Sequence, residues 1–191
     1  REFVLFDGKS LDDWQEVDAG GSGTVELMED GQMRLGTGES ITGVIYKKAD
    51  KLPLTNYEIT LEAMRVDGSD FFCGLTFPVG GLKTCATLVL GGWGGSVTGI
   101  SSIDGADASE NSTGHYRKWE NNKWHRVRLR VTPENISVWA NDERIIDADI
   151  KGKKVHVRPG PIEEYVPLSL TTYQTTAAIR NVKVTPVTEK K

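Results

Sequence analysis

Histidine and cysteine are scarce in this chain, three and two among 191, and zinc, serine-nucleophile, phosphate-loop and dinucleotide signatures are all absent. Basic residues are not in excess. Twenty-three Lys and Arg against 27 Asp and Glu leave a net charge of -4, which offers no positive field for nucleic acid. No apolar run approaches the roughly 18 residues of a membrane-spanning helix, and no amphipathic helical period lasts beyond about two turns. No export leader is visible, because the chain opens directly into strand-like Phe3–Phe6; export would require that a leader had already been removed. Cys73 and Cys85 fall on adjacent strands, but a turn near Val79–Lys83 offsets them. A disulfide and a pair of buried thiols are both open, with the offset on the side of the thiols. Hydrophobic residues at 38% and charged residues at 26% describe a globular chain, expected to form a single domain over residues 1–191.

Strand patterns fill the space that helices leave. In Trp124–Asp149, His125, Val127, Leu129 and Val131 alternate with Arg126, Arg128 and Arg130, the period of a strand with one buried face. The arginines read as its solvated side. Thr132-Pro133-Glu134-Asn135 reverses the chain, and Asn141-Asp142 forms a tight hairpin into Arg144–Ile150. Upstream, Asp30-Gly31 joins two short strands, and Asn56–Val66 alternates with Tyr57, Ile59, Leu61 and Ala63 inward. Phe71–Pro78 and Thr84–Gly91 are apolar on both faces, as in central strands covered on both sides or lining a ligand groove. About a dozen strands at hairpin spacing predict an all-β sandwich of two antiparallel sheets or a jelly roll. Trp14, Trp124 and Trp139 are expected in its core, and Glu189-Lys190-Lys191 as a loose tail.

Candidate chemistry gathers in the Gly-, Ser- and Asp-rich stretch 91–116. Asp104, Asp107 and Glu110, beside Asn111, are the acidic candidates: paired carboxylates divide acid, base and nucleophile roles in glycoside chemistry. Three oxygens in one loop also suit calcium, but their spacing matches no calcium-loop pattern, and no metal or other cofactor is assigned. Loop carboxylates that merely cap turns are the plainer alternative. His115 is the candidate base, though no residue at a recognisable spacing orients it. His125 reads as a core histidine, and His156 has no evident partner. Trp93, Trp119 and Tyr173 are the flat faces on which a sugar ring would stack, with Asp70 and Asn111 for its hydroxyls.

Two ends of the chain carry a resemblance. FVLFDGKSLDDW at Phe3–Trp14 resembles the opening signature of the 3-keto-disaccharide hydrolase-like domains, long a family of unknown function, and Trp124–Asp149 and IRNVKV at Ile179–Val184 are similar to its later strands. The resemblance implies a concanavalin A-like jelly roll with a glycan or oligosaccharide site on the concave sheet, and a secreted or periplasmic bacterial protein. It also implies cleavage of glycosides oxidised at the third carbon, where a ketone acidifies the neighbouring C–H and a base expels the glycosidic oxygen. The alternative is a non-catalytic, lectin-like module of a larger degradative protein. The family's Asn-Ser-Gly-type motif corresponds here to Ser69–Gly74, its Tyr-Glu-Val-Gln-like strand to Cys85–Leu90, its C-terminal histidine to Tyr173 and a glutamate to Ala178. From the residues themselves, Asp104, Asp107, Glu110 and His115 are the catalytic candidates. Asp70, Trp93, Asn111 and Tyr173 are the substrate-binding ones.

Overall fold

The computed structural model describes residues 1–188; Glu189-Lys190-Lys191, expected as a loose tail, lie outside the described residues. Fifteen strands and two short 3-10 helices, Ala49–Lys51 and Pro161–Tyr165, are found among them. No helix among the described residues is long and apolar enough to cross a membrane.

The sheets are both antiparallel, as the alternation and hairpin spacing predict. The first is built on β6 (Tyr57–Asp67), flanked by β11 (His125–Val131) and β15 (Thr176–Pro186), with β12 (Asn135–Ala140) and β13 (Glu143–Asp149) beyond β11. β4 (Met33–Leu35) pairs with the start of β15, β1 (Phe3–Phe6) with its middle, and β3 (Val25–Leu27) closes that edge. The second sheet runs β10 (His115–Tyr116), β9 (Val97–Ser101), β8 (Thr84–Gly92), β7 (Cys73–Gly81), β14 (Ser169–Tyr173), β5 (Ile41–Tyr46) and β2 (Trp14–Asp18). Together they make the jelly-roll sandwich.

The Trp124–Asp149 meander takes the register its sequence prescribes. Leu129 stands opposite Ile59 on one side and Val138 on the other, and φ is positive at both Asn141 and Asp142, the backbone of a two-residue type I′ turn. Between the sheets, Leu61, Leu129 and Val138 meet Leu75, Leu88 and Ile100 in one apolar layer. Trp14 pins the N-terminal strand to it: the side chain is buried, and its indole N–H donates to the Leu5 carbonyl at 3.0 Å. Cys73 and Cys85 are free thiols, both buried. Cys73 faces Leu90 and Cys85 faces Pro78, so the offset foreseen between them is real.

Two expectations about aromatic side chains need correction. Trp124 and Trp139 are half-buried rather than core, because Trp139 falls between the inward positions Val138 and Ala140 and so points outward. The arginines beside it are correspondingly not free in solvent. Arg128 and Arg130 lie 3.9 and 5.2 Å from the centre of the Trp139 ring and share Glu58, and Arg180 lies 3.8 Å from that of Trp124. Cation–π contact and the long arginine stems cover both indoles.

Candidate functional site

The outer face of the seven-stranded sheet carries small side chains. Alternation sends Ala86, Leu88 and Leu90 of β8 into the core and leaves Thr87 and Val89 on the other side, with Ser101 of β9 next to them. Glycine at 43 permits a second layer to land there. A Cβ at Gly43 would stand 2.9 Å from the Tyr165 ring; without it, the 3-10 helix Pro161–Tyr165 rests on β5, packing Ile162 and Tyr165 against Ile41, and the Tyr165 hydroxyl donates to the Val17 carbonyl. The helix and the Arg158–Pro161 segment before it form one wall of a groove of about 470 Å3. Thr87, Val89 and Ser101 line it from the sheet, and Phe71, Trp93 and Tyr173 supply its aromatic side. A volume of this order is typical of small-molecule sites, roughly 300–1,000 Å3.

Each aromatic is held in place by backbone. Trp93 sits in the β8–β9 turn at φ 51° with 40% of its surface exposed. The Asp70 carboxylate holds that turn, accepting the Gly94 N–H at 3.0 Å and the Phe71 N–H at 2.8 Å. Tyr173 ends β14, gives its N–H to the Phe71 carbonyl, and stacks on the Phe71 ring at 6.1 Å and 28°. Arg158 lies 5.8 Å from the centre of the Trp93 ring and pairs with Asp107 at 3.1 Å. Asp107 also accepts from the Ser101 hydroxyl and from the Ala108 N–H. Asp70, Trp93, Tyr173 and, through Ser101 and Arg158, Asp107 therefore meet around a single groove.

The remaining candidates stand elsewhere. Asp104, exposed, binds the Lys154 N–H at 2.7 Å and so ties the loop after β9 to residues 154–156. Glu110 is exposed and does not line this groove. Asn111 is fully engaged, donating to the Ile100 and Ala106 carbonyls and accepting from the Thr113 N–H. His115 pairs with Thr98 at the sheet edge, its Nδ1 3.1 Å from the Thr113 carbonyl. Asp104, Asp107 and Glu110 do not converge: no three His, Cys, Asp or Glu side chains among the described residues could hold a metal together. Trp119, expected as a stacking platform, is buried in the core between Phe72 and His125. His156 does have a partner, accepting the Gly105 N–H at 3.1 Å.

Arg65 was not anticipated, although the sequence marks it: it continues the inward series 57, 59, 61, 63 of β6. Only 4% exposed, its guanidinium donates to the carbonyls of Asp70, Gly91 and Trp119 at 3.0, 3.3 and 2.9 Å and lies 5.1 Å from the centre of the Phe72 ring. Burial draws its pKa below the ordinary value, opposed by the Asp70 charge. One buried cation thus fastens the segments that present Asp70 and Trp93. Arg158, Ser101 and Phe71 were also unanticipated, since only the fold brings them together.

Comparison with known structures agrees with this architecture. A candidate glycosyl hydrolase from Parabacteroides distasonis ATCC 8503 is 14% identical with a TM-score of 0.60, covering 98% of this chain and 94% of its own. The Crh5 transglycosylase in complex with NAG is 9% identical with a TM-score of 0.67, over 98% and 84%. Carbohydrate-binding module CBM66 from Bacillus subtilis is 10% identical with a TM-score of 0.54, over 96% and 99%. At these identities the likeness is one of fold. A search of the curated proteins finds no significant match. The sequence profile of one family covers residues 3–185, and the chain therefore belongs to the 3-keto-alpha-glucoside-1,2-lyase-like domain family.

Proposed function

We propose that this domain binds a glycoside in the groove on the outer face of the seven-stranded sheet and holds it without cleaving it, outside the cytoplasm as the family resemblance implies. The observation that carries the reading is the state of two carboxylates, Asp70, which lines the groove, and Asp107, which is bound to the groove residues Ser101 and Arg158. Asp70 is occupied by two backbone N–H groups, and Asp107 by Ser101, Ala108 and Arg158. A general base needs reach to a substrate proton, whereas both of these anions are engaged in building the groove. Trp93 and Tyr173 are the stacking faces in this reading, and Arg158 gives its remaining N–H groups to sugar oxygens. Titration with glucosides and their 3-keto derivatives tests it, read by tryptophan fluorescence and calorimetry. Trp93→Ala is expected to weaken binding about tenfold; unchanged affinity would remove the groove from the account.

Family membership favours a second reading, elimination from a 3-keto-glycoside. Asp107 would then take the acidified C–H proton, and the Arg158 guanidinium would stabilise the enolate oxygen. Turnover that Asp107→Asn abolishes would establish it.

A further inference from the structure

We infer that the ligand of this groove is a glycoside with a planar aromatic aglycone; the inference rests on the binding reading above and narrows it to a substrate class. The hydroxyls of a pyranose each need a partner when they leave water, and the groove has few to give. The Ser40 hydroxyl donates to the Gly20 carbonyl, Thr87 shares a hydrogen bond with Thr76 at 2.8 Å, and Ser101 donates to Asp107. Asp70 accepts the Phe71 and Gly94 N–H groups, one on each carboxylate oxygen, and keeps part of its acceptor capacity. Arg158 keeps free donors, since its pairing with Asp107 engages one of its nitrogens, and the Trp93 indole N–H and the Tyr173 hydroxyl add one polar group each on the aromatic side.

Apart from these groups the lining is apolar and flat. Ile41, Val89, Pro159, Pro161 and Ile162 form the floor and one wall, and the Phe71–Tyr173 stack and Trp93 form the other. A sugar ring filling this part would still leave hydroxyls unpartnered beyond those that the Trp93 N–H, the Tyr173 hydroxyl and Asp70 can meet. An aryl ring would leave none, and would gain offset or edge contacts with the aromatic side. The groove thus matches an amphiphilic ligand: sugar oxygens at Arg158, and the aryl group toward Tyr173 and Ile162.

Calorimetry on the purified domain with matched probes tests this: methyl and 4-nitrophenyl glucosides of each anomer, and 4-nitrophenol alone. One 4-nitrophenyl glucoside is expected to bind at least about tenfold more tightly than its methyl counterpart and than free 4-nitrophenol. Tyr173→Ala should shrink the aryl preference, and Tyr173→Phe, which keeps the ring, should retain it, with unchanged melting temperatures as the folding control. Equal affinity for methyl and aryl glucosides would overturn the aglycone inference and leave the glycoside reading standing. Free phenol binding as tightly as its glucoside would overturn the glycoside reading, and the inference with it, as would no binding by any probe.

Discussion

At the residue scale, burial decides chemistry more than residue type does. His125 lies in the inward register of β11, 4.8 Å edge-on to Trp119, and Asn141 donates to its Nδ1. Nδ1 is therefore the acceptor, and the hydrogen sits on Nε2, which is buried without a partner. Burial, with Lys123 and Arg65 nearby, lowers its pKa. The unfolded chain then binds the proton more readily than the folded one, so stability falls as pH drops below about 6.5. Thermal melts between pH 8 and 5 should show that loss, and His125→Gln should flatten it; parallel profiles for the two proteins would rule His125 out. The thiols show the same control. Burial pushes Cys73 up to about 12 and Cys85 to about 11, so neither carries appreciable thiolate at neutral pH. Native protein should resist alkylation at pH 8 and take up two labels in denaturant; rapid labelling of the native state would contradict the packing.

At the element scale, the strands were legible because period-2 alternation is a backbone property that needs no knowledge of neighbours. Tyr57, Ile59, Leu61 and Ala63 announce β6, and Asn141-Asp142 announces its turn. The site was less legible. Asp70, Trp93, Asp107 and Tyr173 were marked by residue type in suspect stretches, but nothing local separates Asp107, which reaches the groove through Ser101, from Asp104, which caps a loop. That difference is set by β9 pairing and by residues 154–158, some fifty positions away. Arg65 lay in plain view in the inward series and was missed because an arginine there breaks the apolar rule. Its role is an element-scale one, joining β6 to the segments at 70, 91 and 119. Arg65→Met keeps the stem and leaves three carbonyls without their donor, which should cost about 3 kcal/mol in urea unfolding and weaken ligand binding together with stability. A loss under about 0.5 kcal/mol would show that the carbonyls find water instead. Gly91 reports on the same junction, since a Cβ there would stand 2.5 Å from the Arg65 guanidinium.

At the scale of the whole molecule, the two sheets divide the work. One is closed over its outer indoles by Arg128, Arg130 and Arg180, while the other keeps small side chains outward and lets the Pro161–Tyr165 helix and the β8–β9 turn build walls above them. The family's fold is retained with a groove that threonine, valine and serine line from the sheet, and beside which Asp70 and Asp107 hold backbone and arginine in place. The measurement that bears most directly on this account is incubation of the domain with 4-nitrophenyl glucosides and their 3-keto derivatives, with bound fraction followed by ligand-observed NMR and products by mass spectrometry. Saturable binding with every sugar recovered intact is the predicted result. Release of 4-nitrophenol from a keto substrate, lost on Asp107→Asn, would contradict it and make Asp107 the base of an elimination.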